Sequence, residues 1–500
     1  MNTFNLDTPI LVFNANTKDE SRWTIRQAVE GVQIFGGIGS GKTSGSGRML
    51  ALKYLQNGFG GLVLTVKPDE KDLWVDYCKE AGRSDDLLII EPDSPYQFNF
   101  LNGDGGIQGN LTENIVDVLK TVIRASEEKA SGKADDPFWE SALDMLLFNV
   151  VDLCRLAYGK VSVQEIYSIA QSLPKSDGKG LKDGARNAFY KAFTVAQDKI
   201  QAKVTAWEQG LDKSKRAQLQ QQNTYEACLF EAVPDARVLS FIDQFFLESF
   251  MNLSEKTRSI IDFSLTGFLF RLLREPILSL FCANTSNFKP EDSLAGKIIL
   301  INLPVKLYQK VGRDSQILFK YIWQKAMEKR NIAENDRPVF LWADEAQNFI
   351  HEHDADYQAT ARSSRIATVY ISQNLPNYYA NMGGGRAEQK VKSFLGTLNT
   401  KIFHANADVD TNRYASEYFG DVCFEETSST TTAAGQFSAS RTKSIKFDRL
   451  IRPEQFNRLM TGGEQNAFVV EGYIHLQGNV SQKGNSDSKV KFNQESIIQL

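Results

Sequence analysis

Five hundred residues, at about 150 per domain, set an expectation of two or three domains. With 42% hydrophobic, 24% charged and 11% aromatic residues the chain can bury a sizeable core, which excludes a fibrous or wholly disordered protein. Its 57 basic and 61 acidic residues leave a net charge of −4, so any nucleic-acid contact has to be local, in a groove or a pore.

The opening stretches ILVFNAN, RWTIRQA and GVQIFGG are apolar runs bounded by turn formers, and they read as short strands, the last ending at Phe35. A glycine-rich loop follows, then SGSGRMLALKYLQ with helical spacing. GLVLTVKP (61–68) reads as a buried strand, DEKDLWVDYCKEAG as a helix and DLLIIEP (86–92) as a third strand. Strand and helix in alternation predict a parallel α/β sheet. From about residue 108 the pattern turns helical, over 110–130, 137–158, 163–173 and 184–210, with a loop at 174–184 and further helices over 211–280. Strands return at 296–304, 338–344, 367–372 and 399–405, with helices over 313–331 and up to Ser364. The fold class is therefore α/β, with a mostly parallel sheet interrupted by an inserted all-α domain. The expected boundaries are 1–107 and 291–480 for the two parts of the α/β domain and 108–290 for the insertion. The Ser/Thr/Ala-rich segment 425–444 reads as a flexible loop or a long hairpin, and 481–500 as a polar tail.

Five dispersed cysteines (Cys78, Cys154, Cys228, Cys282, Cys423) form no CxxC pair, which points to a reducing compartment and away from a disulfide framework or zinc. The first residues carry Asp7 and no basic start, unlike a signal peptide. FSLTGFLFRLL (263–273) is shorter than the ~18 apolar residues that cross a bilayer. The expected location is cytoplasmic.

Gly36-Gly37-Ile38-Gly39-Ser40-Gly41-Lys42-Thr43 fits G-x-x-x-x-G-K-[ST] and lies between a predicted buried strand and a helix. Glycines let backbone N–H groups close around phosphate oxygens, and the helix N-terminus adds its positive end. Gly36, Gly37, Gly39, Ser40, Gly41, Lys42, Thr43 and Ser44 are thus candidate ATP-binding residues, with Lys42 bridging the β- and γ-phosphates and Thr43 ligating Mg²⁺. A glycine-rich turn without nucleotide is the alternative. RPVFLWADEAQ then sets Asp344 and Glu345 at the C-terminal end of a predicted strand, where open α/β sheets bind ligands. Asp344 suits the magnesium carboxylate and Glu345 the group that polarises water. An acidic helix start would give the same pattern. Gln373 follows the strand ATVYIS, where its amide would sense the γ-phosphate or orient water. Arg362 and Arg365 are candidates for a cation presented to a neighbouring subunit, with a solvated helix face as the alternative.

These pieces, in this order, resemble the type IV secretion coupling proteins, the TraG/TraD type of conjugative DNA-transfer ATPase, kin to the FtsK/HerA translocases. The resemblance runs from about residue 30 to 475 through GGIGSGKT, TVKPDEKDLW, QFNFLNG, DPFWESALDMLL, SEKTRSII, INLP, FLWADEAQNF, ARSSRIATVYISQN, NTKIFHANADVDTNRYASEYFG and IRPEQFNRLM. It implies a RecA-like P-loop domain, assembly as a homo-hexameric ring around DNA, and an all-α domain that meets relaxosome or secretion-substrate proteins. It maps Lys42 and Thr43 to the phosphate loop, Asp344 and Glu345 to the second carboxylate motif, Gln373 to the sensor and Arg362 to the trans-acting arginine. Family members usually carry N-terminal transmembrane helices, whereas this chain begins almost at its nucleotide domain. A separate membrane subunit, or a location at the inner face of the cytoplasmic membrane, would supply the attachment. Lys67-Pro68-Asp69 stands where the family more often has Asp-Pro-Lys.

Segment 172–216 holds ten basic residues, from Lys175 to Arg216, against five acidic ones, and is a candidate DNA-phosphate patch or else a solvated helical face. Phe138 and Trp139 read as helix core. The expected activity is an ATP-driven DNA translocase coupled to a conjugation channel. Its rivals are a soluble HerA-like DNA pump in defence or repair and a nucleotide-gated recruitment scaffold.

Overall fold

The structure, a computed structural model, describes residues 4–14, 20–101, 112–131, 137–174, 187–212, 219, 224–283, 285–351, 353–382, 386–434, 436–478 and 487–495. The chain divides into two units, one of residues 1–88, 293–300 and 327–500, the other of 89–292 and 301–326. The second unit thus also takes in the stretch 301–326, which the sequence reading assigned to the α/β domain.

The frame of the first unit is a nine-stranded sheet. Its strands are β3 (Val32–Phe35), β4 (Gly60–Leu64), β5 (Leu87–Ile90), β6 (Ile298–Ile301), β7 (Val339–Ala343), β8 (Ile366–Ser372), β9 (Thr400–Phe403), β12 (Val469–Leu476) and β13 (Asp487–Asn493). They lie in the order β13-β12-β9-β3-β8-β7-β4-β6-β5. β3 runs parallel to both β8 and β9, and β7 parallel to both β4 and β8. Every residue of β3, β4, β6, β7, β8 and β9 is buried, which is why β4, β6 and β7 read as continuous apolar runs. The N-terminal β1 (Pro9–Phe13) and β2 (Ser21–Thr24) form a separate antiparallel pair.

The second unit is helical. Thr112–Ser131, Pro137–Tyr158, Ala188–Gln209 and Glu255–Leu272 are among its long helices, and Leu146, Leu147, Val150, Cys154, Phe189 and Phe246 are among its buried residues. Asp314 is buried between Arg313 (2.8 Å) and Arg271 (3.3 Å). Among the described residues no helix is long and apolar enough to cross a membrane.

Several expectations change. The predicted strand RWTIRQA ends at Thr24 and becomes the short helix Ile25–Ala28, because the Gln27 side chain turns back to accept the Thr24 N–H at 2.8 Å. The helix predicted from 313 begins at Val305, with a left-handed break at Gln309 (φ 49°). Phe138 is 55% exposed rather than core. Segment 425–444 lies in the long hairpin β10 (Asp421–Ala434) and β11 (Gln436–Arg449) rather than a flexible loop, the β-rich Thr run supporting 14 residues in each strand. Part of the polar tail forms β13, whose Val490 and Phe492 alternate into the core on the edge of β12. All of the predicted loop at 174–184 except Pro174, and seven of the ten basic residues of 172–216, lie outside the described residues. Of the other three, exposed Lys199 donates to the Ala157 carbonyl (2.7 Å) and Lys203 pairs with Asp235.

The β10–β11 hairpin is a two-stranded sheet of its own, roughly 45 Å long at ~3.3 Å per residue. Replacing 426–444 by a short turn is expected to leave the melting temperature within about 2 °C, since 426–429 and 441–444 are exposed and the two strands pair with each other. A fall well beyond that in a thermal scan would mean the hairpin braces the core.

Candidate active site

The loop after β3 leaves a fully buried central strand and ties back to its neighbours. Gly36 N–H donates to the Ser372 carbonyl (3.2 Å) and Gly37 N–H to the Ala405 carbonyl (2.8 Å). Gly39 (φ 71°) and Gly41 (φ 79°) take left-handed conformations that side chains rarely adopt. A Cβ on Gly41 would also lie 2.5 Å from the Val470 side chain of β12. Residues Thr43–Gly47 form a wide turn, with Gly47 N–H donating to the Lys42 carbonyl (2.9 Å), and the helix Arg48–Gln56 continues from it. Loop N–H groups and a helix start therefore face one point above the sheet. The Ser40 hydroxyl is buried there without a hydrogen-bond partner among the described residues.

The parallel pairing of β7, β8 and β3 brings the second motif to this loop. Thr43 Oγ1 donates to Asp344 Oδ2 at 2.6 Å across 301 residues, and Asp344 Oδ1 accepts the Glu345 N–H at 2.8 Å. Glu345 itself sits in the left-handed region (φ 53°), a strained conformation for a residue with a side chain. Two amides hold its carboxylate, Gln347 at 2.8 Å and Gln373 at 2.9 Å, and Lys42 Nζ lies 4.0 Å away. Ser372 donates to the Gln347 amide oxygen (2.9 Å), and Asn406 to the Gln373 carbonyl (2.8 Å). Burial opposes ionisation of Glu345, but the Gln373 and Gln347 amides and the Lys42 and Lys67 ammonium groups outweigh it. Its pKa lies below the ordinary glutamate value.

Lys42, Thr43, Asp344, Glu345 and Gln373 thus converge. Ser44 is bridged by the amide of Gln494 in the C-terminal segment (2.6 Å). Arg362 does not join them. It pairs with Glu30 at 3.3 Å, beside the N-terminal end of β3, whereas the phosphate loop leaves the C-terminal end. Arg365 (φ 51°) donates to the carbonyls of Phe4 and Asp336 at 2.8 Å. Thr43 and Asp344 offer the hydroxyl and carboxylate oxygens that a hard divalent cation takes, and Lys42 the charge that phosphate takes. A cleft of about 440 Å³ opens beside the loop, lined by Ile38, Gln373, Asn374, Asn406, Asp408 and Asn457 among others.

Several residues of this cluster escaped the sequence reading. Gln347 lies two positions after Glu345, and only that spacing hinted at it. His404, at the end of β9, is wholly buried; its Nδ1 faces the Glu471 carbonyl at 2.8 Å and its Nε2 the Ser46 hydroxyl at 2.7 Å. A carbonyl only accepts, so Nδ1 carries the proton and Nε2 accepts from Ser46. Glu70 accepts the Val66 N–H at 2.7 Å; burial, with the Asp344 charge, pushes its pKa up to about 8.

Burial pushes His404 down to about 4, so it stays neutral next to Lys42. The unfolded chain takes up a proton below about 6.5 while the folded chain does not, so stability rises with pH from about 4 to about 6.5. His404→Gln is expected to flatten that part of the pH–stability curve, by at most about 3 kcal/mol at its acid end. Urea melts at pH 5 and pH 7 check this, and identical slopes for both proteins would contradict it.

Residues 338–461 match a family described as the TraM recognition site of TraD and TraG. Among solved structures, the chain is similar to the bacterial conjugative coupling protein TrwBΔN70 in its unbound monoclinic form, with a TM-score of 0.61 and 14% identity over 98% of this chain and 90% of that one. It is also similar to TrwB in complex with the non-hydrolysable ATP analogue ADPNP (0.56, 14%) and with ADP and Mg²⁺ (0.55, 12%), each over 95% of this chain and 87% of that one. No curated protein sequence matches. The fold is thus that of a conjugative coupling protein over nearly the whole chain, a RecA-like α/β domain with a helical insertion.

Proposed function

We propose that this chain is a Mg²⁺- and ATP-dependent coupling ATPase that works as a homo-hexameric ring and moves DNA or nucleoprotein toward a type IV secretion channel. The observation that carries the reading is the Glu345 carboxylate, ionised, oriented by two amides and 4.0 Å from Lys42. A scaffold that only senses nucleotide has no need of such a carboxylate. The ADPNP, ADP and Mg²⁺ complexes of TrwB support the same ligands here.

In this reading the loop N–H groups and Lys42 bind the phosphates. Thr43 and Asp344 hold Mg²⁺, which when bound neutralises charge on the phosphate oxygens. Glu345 accepts a proton from the attacking water, and Gln373 keeps that carboxylate aimed while reporting the γ-phosphate through Asn406 to the end of β9. Arg362, exposed and paired with Glu30 at 3.3 Å, would act on the nucleotide of a neighbouring subunit. The match to a TraM recognition site over 338–461 favours a relaxosome protein as partner of the first unit, alongside substrate proteins on the helical unit.

Steady-state ATP hydrolysis at low salt, with and without single- and double-stranded DNA, tests the proposal. Lys42→Ala and Glu345→Gln are each expected to lower turnover by about 100-fold or more, with ATP binding retained in Glu345→Gln. DNA is expected to stimulate the wild type, and the stimulation to fade with added salt as phosphate contacts are screened. Full turnover in both variants would refute the site. Hydrolysis indifferent to DNA in a proven hexamer would favour the scaffold.

A further inference from the structure

β4 and β7 run parallel with Leu64 beside Ala343, so the residues that follow each strand leave the sheet at the same edge. After β7 these are Asp344 and Glu345. After β4 they are Thr65, Val66, Lys67, Pro68 and Asp69, ahead of the helix Glu70–Glu80. The loop is closed by its own chemistry. Glu70, the first residue of that helix, reaches back to accept the Val66 N–H at 2.7 Å, and Glu70 N–H donates to the Lys67 carbonyl at 3.3 Å. Glu70 is 6% exposed, and its second carboxyl oxygen is buried with no hydrogen-bond partner among the described residues.

The loop carries Lys67 to the motif carboxylates from the side opposite Lys42. Burial works against its ammonium group, but Asp344, Glu70, Glu345 and Asp69 all act on it and hold its pKa above the ordinary lysine value. Yet Lys67 has no carboxylate oxygen within ion-pairing distance among the described residues, whereas Lys42 lies 4.0 Å from Glu345. A half-buried cation that is drawn by several carboxylates and docked on none of them is arranged to receive a further anion. Lys42 meets the phosphates from the loop side, and β4 leaves the sheet three strands further on, beyond β8 and β7. The part of a nucleotide that extends toward Asp344, Glu345 and Gln373 is the terminal phosphate.

We propose that Lys67 binds the γ-phosphate and lets the site distinguish a nucleoside triphosphate from a diphosphate. The inference rests on the nucleotide site proposed above and adds a residue and a selectivity to it. Glu70 is the positioning residue, since its bond to Val66 shapes the loop that presents the ammonium group.

Calorimetric titration of ADPNP and of ADP, each with Mg²⁺, into the full chain and its Lys67→Gln, Lys67→Arg and Lys42→Ala variants tests this. Lys67→Gln is expected to weaken ADPNP by about tenfold or more, the usual effect of losing a charged hydrogen bond, while ADP changes by less than about twofold. Lys67→Arg, which keeps the charge, is expected to retain most of the ADPNP affinity. Equal losses for both nucleotides, or none for ADPNP, would overturn the role of Lys67 and leave the nucleotide site standing. Wild-type affinity for both nucleotides in Lys42→Ala, or no binding by the wild type, would overturn that site and Lys67 with it. If Lys67→Gln melts well below the wild type, Lys67→Met carries the same comparison.

Discussion

The hydrogen bond from Thr43 to Asp344 joins two motifs 301 residues apart, and the rest of the active cluster is arranged around it. Its geometry follows from sheet order. Because β8 lies between β3 and β7, the tips of three parallel strands meet above one edge, and a helical unit can be inserted between β5 and β6 without disturbing them. The same order sets Gln373, from the tip of β8, between the phosphate loop and the carboxylates. Side chains from separate strands therefore share one point, which parallel sheets provide at their C-terminal ends.

Charge balance explains the surrounding residues. Lys42 and Glu345 are both more than nine-tenths buried, and at 4.0 Å their attraction is about 4 kcal/mol for an effective dielectric near 20. That is comparable with the penalty for burying the two charges, so the pair adds little net stability. Its placement answers to chemistry rather than to folding. Keeping His404 neutral next to Lys42 follows the same logic, because a second buried cation there would compete with the loop for its position. The left-handed backbone of Glu345 stores strain, and the two amides and the Asp344 carboxylate are what hold it.

Much of this was legible in the sequence because it is written in local patterns. GGIGSGKT needs glycine where φ is positive, and FLWADEAQ needs apolar residues before a carboxylate at a strand end. Gln373 was legible for the same reason, as the first polar residue after a buried strand. What stayed hidden depends on tertiary pairing. His404 and Glu471 meet only because β9 and β12 pair antiparallel, and Gln494 reaches Ser44 only through β13. The tail carrying β13 is polar, and its two inward positions, Val490 and Phe492, are too few to outweigh that composition. Arg362 was legible as a residue type but not as a position, since its pairing with Glu30 depends on where the helix Asp354–Ala361 ends relative to β3.

The antiparallel edge also explains glycines inside the phosphate-loop pattern and just beyond it. Gly41 and Gly45 both back onto Val470 of β12, where added Cβ atoms would lie 2.5 Å and 3.1 Å from its side chain. Gly47 allows the wide turn in which the Lys42 carbonyl accepts one residue further along than a first α-helical bond would. The Ser46 hydroxyl lies between those two glycines and is turned to His404 on the adjacent strand β9. β12 therefore does more than close the sheet. Its Val470 backs the start of the loop helix, so the backbone N–H groups of the glycine-rich loop are set by a strand distant in sequence. A shift of β12 along β9 would move those N–H groups, so the C-terminal part of the chain and the glycine-rich loop are mechanically joined.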